Sequence, residues 1–332
     1  MANFWTDKRV LVTGSAGFLG CWLCNILVEN GACVTGLDIE IKPKSNFYNF
    51  NLKKRIKQLH VDVTNYALLR KIFSQEEPEI VFHLAAQPLV TLANKNPLPT
   101  FENNIKGTWN VLEAARNSRS MNGVVVASSD KAYGIHETLP YTEDAPLRGA
   151  YPYDVSKSAA DLITQAYSKT YGLPVGITRS GNFYGGGDLY FDRIVPGTIK
   201  SLIFDEAPII RSDGRFVRDY IYIKDVANAY MLLAKKLKQV RGEAFNLTTE
   251  EPLDVLALVS TISRLMGKQH LKPSILNIAK AEIREQYLSG KKARELLDWS
   301  AKYSLGESLK ETITWYKQYF DKGFGKEEKK KK

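Results

Sequence analysis

The sequence predicts an α/β fold, a doubly wound parallel sheet followed by a smaller C-terminal lobe. Three observations predict it. Short β-branched runs alternate with longer helical stretches as far as about Ser180, a glycine-rich turn joins the first run to the first helix, and the pattern then loosens. Strands that alternate with helices form right-handed βαβ units, so their sheet is parallel and has helices on both faces.

The predicted elements follow this alternation in order. Six strands lie in the runs RVLVTG, CVTGLD, QLHVDV, EIVFHLA, GVVVASS and PVGITRS. The helices between them cover about Phe18 to Asn30, the stretch YALLRKIFSQ after a capping Asn65, the stretch NNIKGTWNVLEAARNS, and about Tyr153 to Tyr171. Further along, YIYIKDVANAYMLLAKKL is typical of a strand followed by a helix, and helices are predicted over about Leu253 to Met266 and Gly306 to Phe320.

The composition argues against several classes of protein. The chain of 332 residues has 44% hydrophobic and 25% charged side chains, which is ordinary for a globular protein. No apolar run reaches the roughly 18–20 residues that cross a bilayer, and the N-terminus has no apolar signal core. We therefore expect a cytoplasmic protein with no membrane partner. The net charge of +10 forms no basic stripe, so we expect no nucleic-acid partner.

Cysteines and histidines indicate neither disulfides nor a metal. The three cysteines are an odd, low number, and Cys21 and Cys24 form C-x-x-C inside the first helix. We interpret them as thiols that fill the core rather than as a redox pair. The four histidines are nowhere spaced as a ligand pair, so no metal site is predicted.

The turn VTGSAGFLG predicts a Rossmann-type dinucleotide site. It places Gly14, Gly17 and Gly20 between a strand and a helix, where backbone N–H groups and the helix N-terminus meet a pyrophosphate. Asp38 ends the second strand, where a carboxylate accepts hydrogen bonds from the adenosine ribose and repels a 2′-phosphate. NAD is therefore favoured over NADP. Asp62, at the end of the third strand, either reaches the adenine or caps the next turn.

The domain boundaries follow from this site. Residues 1–180 are predicted to form the NAD-binding domain, which also receives about 217–247. Residues 181–216 and 248–320 are predicted to form a substrate-binding lobe, with the active site between the two. The last residues, 321–332, end in KEEKKKK and are expected to be a basic, disordered tail.

The motif Y-x-x-x-K predicts the catalytic centre. Tyr153 and Lys157 lie one turn apart at the start of a helix, where a nearby ammonium would lower the pKa of the phenol from about 10. Such a tyrosine can take a proton from a sugar hydroxyl. Tyr220 and Lys224 have the same spacing but lie in an alternating, strand-like run, where they would be roughly 13 Å apart.

A polar cluster follows the fifth strand. Ser129, Asp130 and Lys131 lie at the carboxyl edge of the sheet, where ligands of open α/β folds bind. Ser129 can donate to the reacting oxygen. Asp130 and Lys131 can serve as a proton donor and a proton acceptor, which redox chemistry alone does not require. The alternative is a solvated Asp–Lys pair in a turn.

Several motifs together resemble the extended short-chain dehydrogenase/reductase family of enzymes that act on nucleotide sugars. They are TGSAGFLG, HLAAQPLV, NNIKGTWNVLEAAR, SSDKAYG, YPYDVSK, TRSGNFYGGGDLYFDRIVPG and GRFVRDYIYIKDVANAY. The likeness runs from about residue 8 to 320. Within the family the chain looks most like the 4,6-dehydratases, and among these like the CDP-glucose branch, because Ser-Asp-Lys precedes the tyrosine.

The resemblance implies a reaction in three steps on one bound NAD. Tyr153 takes the C4 hydroxyl proton while hydride passes to NAD⁺, with Ser129 holding the C4 oxygen and Lys157 binding the nicotinamide ribose. Lys131 then removes the C5 proton and Asp130 protonates the departing C6 hydroxyl. Hydride finally returns to C6. How Asp130 and Lys131 divide the acid and base roles is less firmly implied than their joint involvement.

The resemblance also implies binding residues for both ligands. The substrate is expected to be a nucleotide-diphosphate sugar, most often a CDP-hexose in this branch, with UDP, GDP or dTDP as alternatives. Its expected contacts are Gln87, Ser129, Asn182, Arg193, Arg218 and Arg284. The further NAD contacts implied are Phe18, Leu19, Val63, Leu84, Ala85 and Ala86. Arg218 could instead pair with Asp219 or Asp225.

Two rival functions remain open. A nucleotide-sugar 4-epimerase needs the tyrosine, lysine and serine but no acid–base pair for elimination, and an NAD-sensing regulator needs no activated phenol.

The chain departs from the family pattern at two places, Tyr151–Pro152 before the catalytic tyrosine and Cys21–Trp22 near the cofactor. The resemblance also implies a homodimer or homotetramer paired through two long helices.

Overall fold

The computed structural model describes residues 3–278 and 283–323. Its centre is a seven-stranded sheet whose paired strands are all parallel. In chain order the strands of the protein are β1 (Arg9–Thr13), β2 (Cys33–Asp38), β3 (Lys57–His60), β4 (Ile80–His83), β5 (Gly123–Ala127), β6 (Val175–Ser180), β7 (Asn182–Tyr184), β8 (Ile209–Ile210), β9 (Val217–Arg218), β10 (Tyr220–Tyr222), β11 (Ala244–Leu247), β12 (Leu253–Asp254), β13 (Ser274–Ile275) and β14 (Glu285–Gln286).

Helices connect these strands. They are α1 (Phe18–Glu29), α2 (Asn46–Asn49), α3 (Leu52–Arg55), α4 (Tyr66–Glu76), α5 (Val90–Lys95), α6 (Pro97–Phe101), α7 (Gly107–Arg116), α8 (Pro152–Tyr171), α9 (Ile194–Ile203), α10 (Ile223–Lys236), α11 (Val255–Leu265) and α12 (Leu305–Asp321). A π-helical turn, Glu102–Lys106, leads into α7, another covers Ala293–Leu297, and a 3₁₀ turn covers Asp130–Tyr133. The prediction that Asn65 caps a helix is confirmed, since its side chain accepts from the Leu68 N–H.

The strand order confirms the predicted fold class. The order is β11-β6-β5-β4-β1-β2-β3, so the chain winds outward in one direction from β1 and in the other from β4. The point between β1 and β4 is the topological switch at which doubly wound folds bind ligands, outside the carboxyl ends of the strands.

Each face of the sheet is covered by helices, which explains why its central strands are mostly apolar, whereas the edge strand β3 is polar and partly exposed. Val10 and Val12 belong to the core cluster that contains Leu23 of α1, whereas Leu11 lies in the cluster that contains Val111 of α7. Successive side chains of a strand point to opposite faces, so β1 contributes to both layers. Cys21 and Cys24 are buried and free, in agreement with the prediction that they fill the core.

Residues after β6 build a second lobe over the carboxyl edge of the sheet. Its short strands form the small sheets β12-β9-β14, β10-β7 and β13-β8. Of these strands, the sequence pattern predicted β10, at the start of YIYIKDVANAYMLLAKKL. The chain also returns to the main sheet, where β11 pairs with β6. Of the predicted tail, the structure describes residues 321–323, and Asp321 ends α12; residues 324–332 lie outside the described part.

A buried ion pair fixes α8 against β6. The Arg179 guanidinium binds the Asp161 carboxylate through two hydrogen bonds, of 2.8 and 3.0 Å. The side chains are only 3% and 0% exposed. Removing one partner of such a pair leaves an uncompensated charge in the interior, so the helix that carries Tyr153 and Lys157 is held firmly in place.

Candidate active site

The glycine turn forms a close-packed cradle at the start of α1. Gly14 has a positive φ of 71°, and a Cβ there would lie 2.8 Å from the Ala85 nitrogen. A Cβ on Gly20 would overlap the carbonyl oxygen of Gly14. The first turn of α1, which includes Phe18 and Leu19, has no capping side chain and no acidic residue. Its N–H groups and the helix dipole are therefore available to a pyrophosphate.

Asp38 lies beside this cradle at the end of β2. One of its carboxylate oxygens accepts from the Ala16 N–H at 2.9 Å, and the other accepts from the Ile39 N–H at 2.8 Å. Burial raises the pKa of Asp38, although these N–H groups oppose the rise. The ammonium of Lys42 donates to the Tyr190 hydroxyl at 3.0 Å, so it reaches towards the second lobe. The cradle and this carboxylate fit an NAD adenosine diphosphate.

Other predicted cofactor contacts lie along the same edge of the sheet. Asp62 is exposed and accepts from the Thr64 N–H at 2.8 Å, which is the turn contact named as its alternative role. Val63 is buried, and Leu84, Ala85 and Ala86 are half-buried beyond β4.

Sequence reasoning missed a histidine beneath this edge. His83 is buried, with one ring nitrogen 2.8 Å from the Thr13 hydroxyl and the other 3.0 Å from the Thr108 hydroxyl. Burial, with a smaller effect of Lys157, lowers the pKa of His83 to about 3. The ring is therefore neutral and links β1, β4 and α7.

The predicted acid–base cluster forms the 3₁₀ turn after β5. The Ser129 hydroxyl donates to the Asp130 carboxylate at 3.0 Å and accepts from the Lys131 N–H at 3.2 Å. Asp130 is 5% exposed. Its burial raises the pKa of the carboxyl despite the attraction of Lys131, so Asp130 is suited to hold a proton.

Tyr153 and Lys157 lie on the first turns of α8, as predicted, but the predicted pKa of the tyrosine was wrong. The Lys157 ammonium donates to the Ala127 carbonyl at 2.8 Å, and burial lowers the pKa of Lys157 to about 8. Burial, together with the negative charge of Asp130, raises the pKa of Tyr153 to about 12, although a hydrogen bond with Ser129 lowers it. Burial disfavours the phenolate more than the Ser129 hydrogen bond and the positive charge of Arg193 favour it.

Ser129, Asp130, Lys131 and Tyr153 line one cleft of about 1390 Å³ between the two lobes, whereas Lys157 is not among its lining residues. Its lining includes Ser129, Asp130, Lys131, Tyr153, Asn182, Arg193 and Arg218. The structure thus brings the predicted catalytic cluster together with three of the predicted substrate contacts.

The arginines of the cleft are also held by the protein. Arg193 begins α9 and donates to the Asp188 carboxylate at 3.0 Å. The buried Arg218 guanidinium donates to the carbonyls of Val217, at 2.8 Å, and Arg284, at 3.0 Å. Arg218 therefore braces the second lobe as well as lining the cleft.

Two predicted substrate residues are not among the described residues that line the cleft. Gln87 is half-buried, and its amide nitrogen donates to the Leu89 carbonyl and, at 2.8 Å, to the Thr100 hydroxyl. It thereby shapes the loop after β4. Arg284 is exposed on the second lobe, next to β14. Their contact with a sugar nucleotide stays a prediction.

The structure adds three polar groups to the cleft. Asp154 is 3% exposed, and burial raises the pKa of its carboxyl to about 6, although Lys131 opposes the rise. The hydroxyls of Ser128 and Ser180 are buried at the ends of β5 and β6 without a hydrogen-bond partner among the described residues. Asp154 follows Tyr153 directly in the first turn of α8, and its carboxyl has Lys131 and Asp130 as charged neighbours.

Trp22, one of the departures from the family pattern, anchors a loop of the second lobe. Its indole N–H and the side-chain amide of Asn46 both donate to the Gly186 carbonyl at 2.9 Å. Gly186 lies in the run of three glycines that leads to Asp188 and thus to Arg193. We call these two donors the Gly186 clamp.

Two broad properties of the described residues bear on function. No group of three or more histidine, cysteine, aspartate or glutamate side chains in residues 3–278 and 283–323 could hold a metal ion. No helix in that part of the chain has the length and apolarity needed to cross a membrane.

The fold and the cleft define a dinucleotide-binding enzyme with an acid–base cluster at the carboxyl edge of its sheet. Residues 10–248 match the model of the NAD dependent epimerase/dehydratase family. The chain belongs to this family.

Relatives of both activities cover nearly the whole chain. A CDP-glucose 4,6-dehydratase of Salmonella typhimurium is 30% identical over 96% of this chain and 92% of its own length. A UDP-glucuronate 4-epimerase of Thermodesulfobacterium geofontis is 31% identical over 93% and 96%. The solved structure of dTDP-glucose 4,6-dehydratase from Bacillus anthracis in complex with NAD has a TM-score of 0.84 and 25% identity, over 94% of this chain and 97% of that one.

Proposed function

We propose that this chain is an NAD-dependent nucleotide-sugar 4,6-dehydratase that converts CDP-glucose to CDP-4-keto-6-deoxyglucose. The observation that carries the proposal is the Asp130–Lys131 pair, which lies in the cleft beside Ser129 and Tyr153. Oxidation at C4 needs a base for one hydroxyl, whereas loss of water across C5–C6 needs a further base and a further acid.

The first step belongs to Tyr153 and Ser129. Tyr153 takes the proton of the C4 hydroxyl while the C4–H bond breaks, and Ser129 binds the C4 oxygen. NAD, when bound, supplies the two-electron acceptor for this carbon. In the chain alone, burial raises the pKa of Tyr153 to about 12. The positive charge of an oxidised nicotinamide, when NAD is bound, would favour the phenolate.

Elimination belongs to the 3₁₀ turn. The C4 ketone acidifies the C5–H bond, and Lys131 takes that proton as a neutral amine. Asp130 donates its proton to the C6 hydroxyl, which leaves as water. The raised pKa of the buried Asp130 supports its role as the acid. The hydride that was removed from C4 is then returned to C6 of the 4-keto-5,6-ene, and C5 is protonated.

The choice of CDP concerns the base of the nucleotide rather than the reaction. It is supported by the Ser-Asp-Lys sequence and by the likeness to the Salmonella enzyme. Arg193 and Arg218 suit the diphosphate that all candidate nucleotide sugars share, because a guanidinium binds phosphate oxygens in two-point fashion.

A nucleotide-sugar 4-epimerase is the second candidate, favoured by the likeness to the UDP-glucuronate enzyme. The two reactions differ in mass. Purified protein with NAD is incubated with CDP-glucose, UDP-glucose, dTDP-glucose and GDP-mannose, and the products are read by mass spectrometry. Loss of one water from CDP-glucose supports the proposal, whereas an unchanged mass with inverted configuration at C4 by NMR establishes the epimerase.

Variants of the turn refine this test. Asp130→Asn and Lys131→Met should each abolish water loss while sparing C4 oxidation. Lys224→Met is the matched control, since Lys224 contacts Glu311 at the surface and not the cleft. Full turnover by both turn variants would contradict the assignment of elimination.

We also propose that the chain forms a homodimer, or a homotetramer built from it. Exposed apolar side chains lie on two adjacent long helices, with Trp109 of α7 exposed by 42% and Leu162 of α8 by 54%. Large apolar side chains exposed on neighbouring helices suit an interface between copies of the chain. Light scattering should give twice the chain mass or a multiple of it, and Leu162→Glu should yield the monomer.

A further inference from the structure

Gln286 of the second lobe reaches the catalytic turn. It lies on β14, which pairs with β9, and its side chain is 0% exposed. Its amide nitrogen donates to the backbone carbonyl of Asp130 at 2.8 Å, across 156 positions of the chain. The amide oxygen is buried without a hydrogen-bond partner among the described residues. A buried amide with one unmet acceptor costs stability, so its placement needs a reason other than packing.

The segment that carries Gln286 is fixed on both sides. Before it, the Arg284 carbonyl accepts from the Arg218 guanidinium at 3.0 Å. After it, the Leu288 N–H donates to the Asp219 carboxylate at 2.7 Å. Arg218 ends β9 and lines the cleft, and Asp219 follows it directly. Gln286 is therefore a donor with little freedom to move, and it constrains the carbonyl that it binds.

The constraint acts on the two groups of the elimination step. Asp130 and Lys131 share the 3₁₀ turn whose first carbonyl Gln286 holds, whereas Tyr153 is carried by α8. A small rotation of the turn would move the Asp130 carboxyl and the Lys131 ammonium relative to C5 and C6. It would leave the phenol, and hence the C4 hydroxyl, in place.

We propose that Gln286 is a positioning residue that aligns Asp130 and Lys131 for elimination and is dispensable for oxidation at C4. The inference rests on the proposed dehydratase function. It assigns to the second lobe a part in the chemical step, besides its part in binding the substrate.

The test compares the two steps in single turnovers with the substrate found for the wild type. C4 oxidation is followed by the absorbance of reduced cofactor, and elimination by loss of water in quenched samples. Gln286→Met keeps the size of the side chain and removes the donor. Gln286→Leu also removes the donor and leaves an apolar side chain of nearly the same length. Glu285→Gln, at an exposed position of the same strand, is the control.

Elimination should fall about 10-fold to 100-fold in both Gln286 variants, because small misplacements of reacting groups cost this much. C4 oxidation and the control variant should stay at the wild-type rate, so that reduced cofactor accumulates in the Gln286 variants alone. An equal fall of both steps, or a failure of both variants to fold, would make Gln286 merely structural and overturn the inference, as would unchanged elimination. A wild type that eliminates no water refutes the proposed function instead.

Discussion

Removal of the Gly186 clamp tests how the second lobe is attached to the cofactor-binding domain. The Gly186 carbonyl is buried and accepts from both Trp22 and Asn46. Trp22→Phe keeps an aromatic ring and removes one donor, and Asn46→Ala removes the other. After either change the carbonyl retains one hydrogen bond, and after both it retains neither of these two.

The expected magnitudes follow from that difference. One neutral hydrogen bond contributes about 0.5–1.5 kcal/mol, so Trp22→Phe should cost about 1 kcal/mol of the free energy of unfolding. Asn46→Ala should cost somewhat more, because the amide is 1% exposed and leaves a cavity. The double variant also leaves a buried carbonyl unsatisfied, which adds about 1–3 kcal/mol beyond the sum of the single changes.

Urea unfolding is measured for the wild type, the two single variants and the double variant. The coupling energy is the amount by which the loss of stability in the double variant exceeds the sum of the two single losses. The cycle cancels the cavity, which the single and double variants share. The KM for the nucleotide sugar should rise most in the double variant, since the clamped loop leads to Asp188 and Arg193. Strict additivity of the two single effects, within about 0.5 kcal/mol, would refute the idea that both donors serve one carbonyl.

Three further outcomes are expected. Gly20→Ala should abolish NAD binding in equilibrium dialysis, because its Cβ overlaps the Gly14 carbonyl; affinity within a few-fold of wild type would contradict the tight cradle. Burial raises the pKa of Asp219 to about 7, so the folded carboxyl binds its proton more tightly than the unfolded one, and stability is lost as pH rises from about 4 to 7. Relative to Asp219→Asn, the wild type should lose about 2–4 kcal/mol over that interval in urea unfolding, and parallel pH profiles would exclude the shift. Asp154→Asn should slow elimination about tenfold or more and shift its pH profile, since the carboxyl faces Lys131 and Asp130; an unchanged profile would remove Asp154 from the reaction.

Local sequence was sufficient for six of the seven strands of the main sheet, all but β11, and for the positions of Ser129 and Tyr153 at its edge. The strand before Gly14 and the helix after it, the cap at Asn65, and the serine cluster next to α8 each depend on residues close together in the chain. Their patterns of spacing, capping and β-branching can therefore be recognised in the sequence without knowledge of tertiary contacts.

The remainder depends on contacts between distant residues. β9 and β14 have two residues each, too few to show a period, and pair only because the second lobe folds over the cleft. Gln286 meets Asp130 across 156 positions. The pKa of Tyr153 was mispredicted because burial, which no local spacing reveals, raises it.

The buried pair of Arg179 and Asp161 has a consequence for redesign of this protein. The pair fixes the position of α8 relative to β6. A shift of α8 by one residue along its axis would separate the Arg179 guanidinium from the Asp161 carboxylate, which is 0% exposed. Tyr153 and Lys157 on α8 therefore keep their positions. A redesign that changes the sugar or base accepted under the proposed function has to alter the wall of the cleft opposite α8. That wall is lined by residues between 190 and 212, which belong to a different part of the chain from α8.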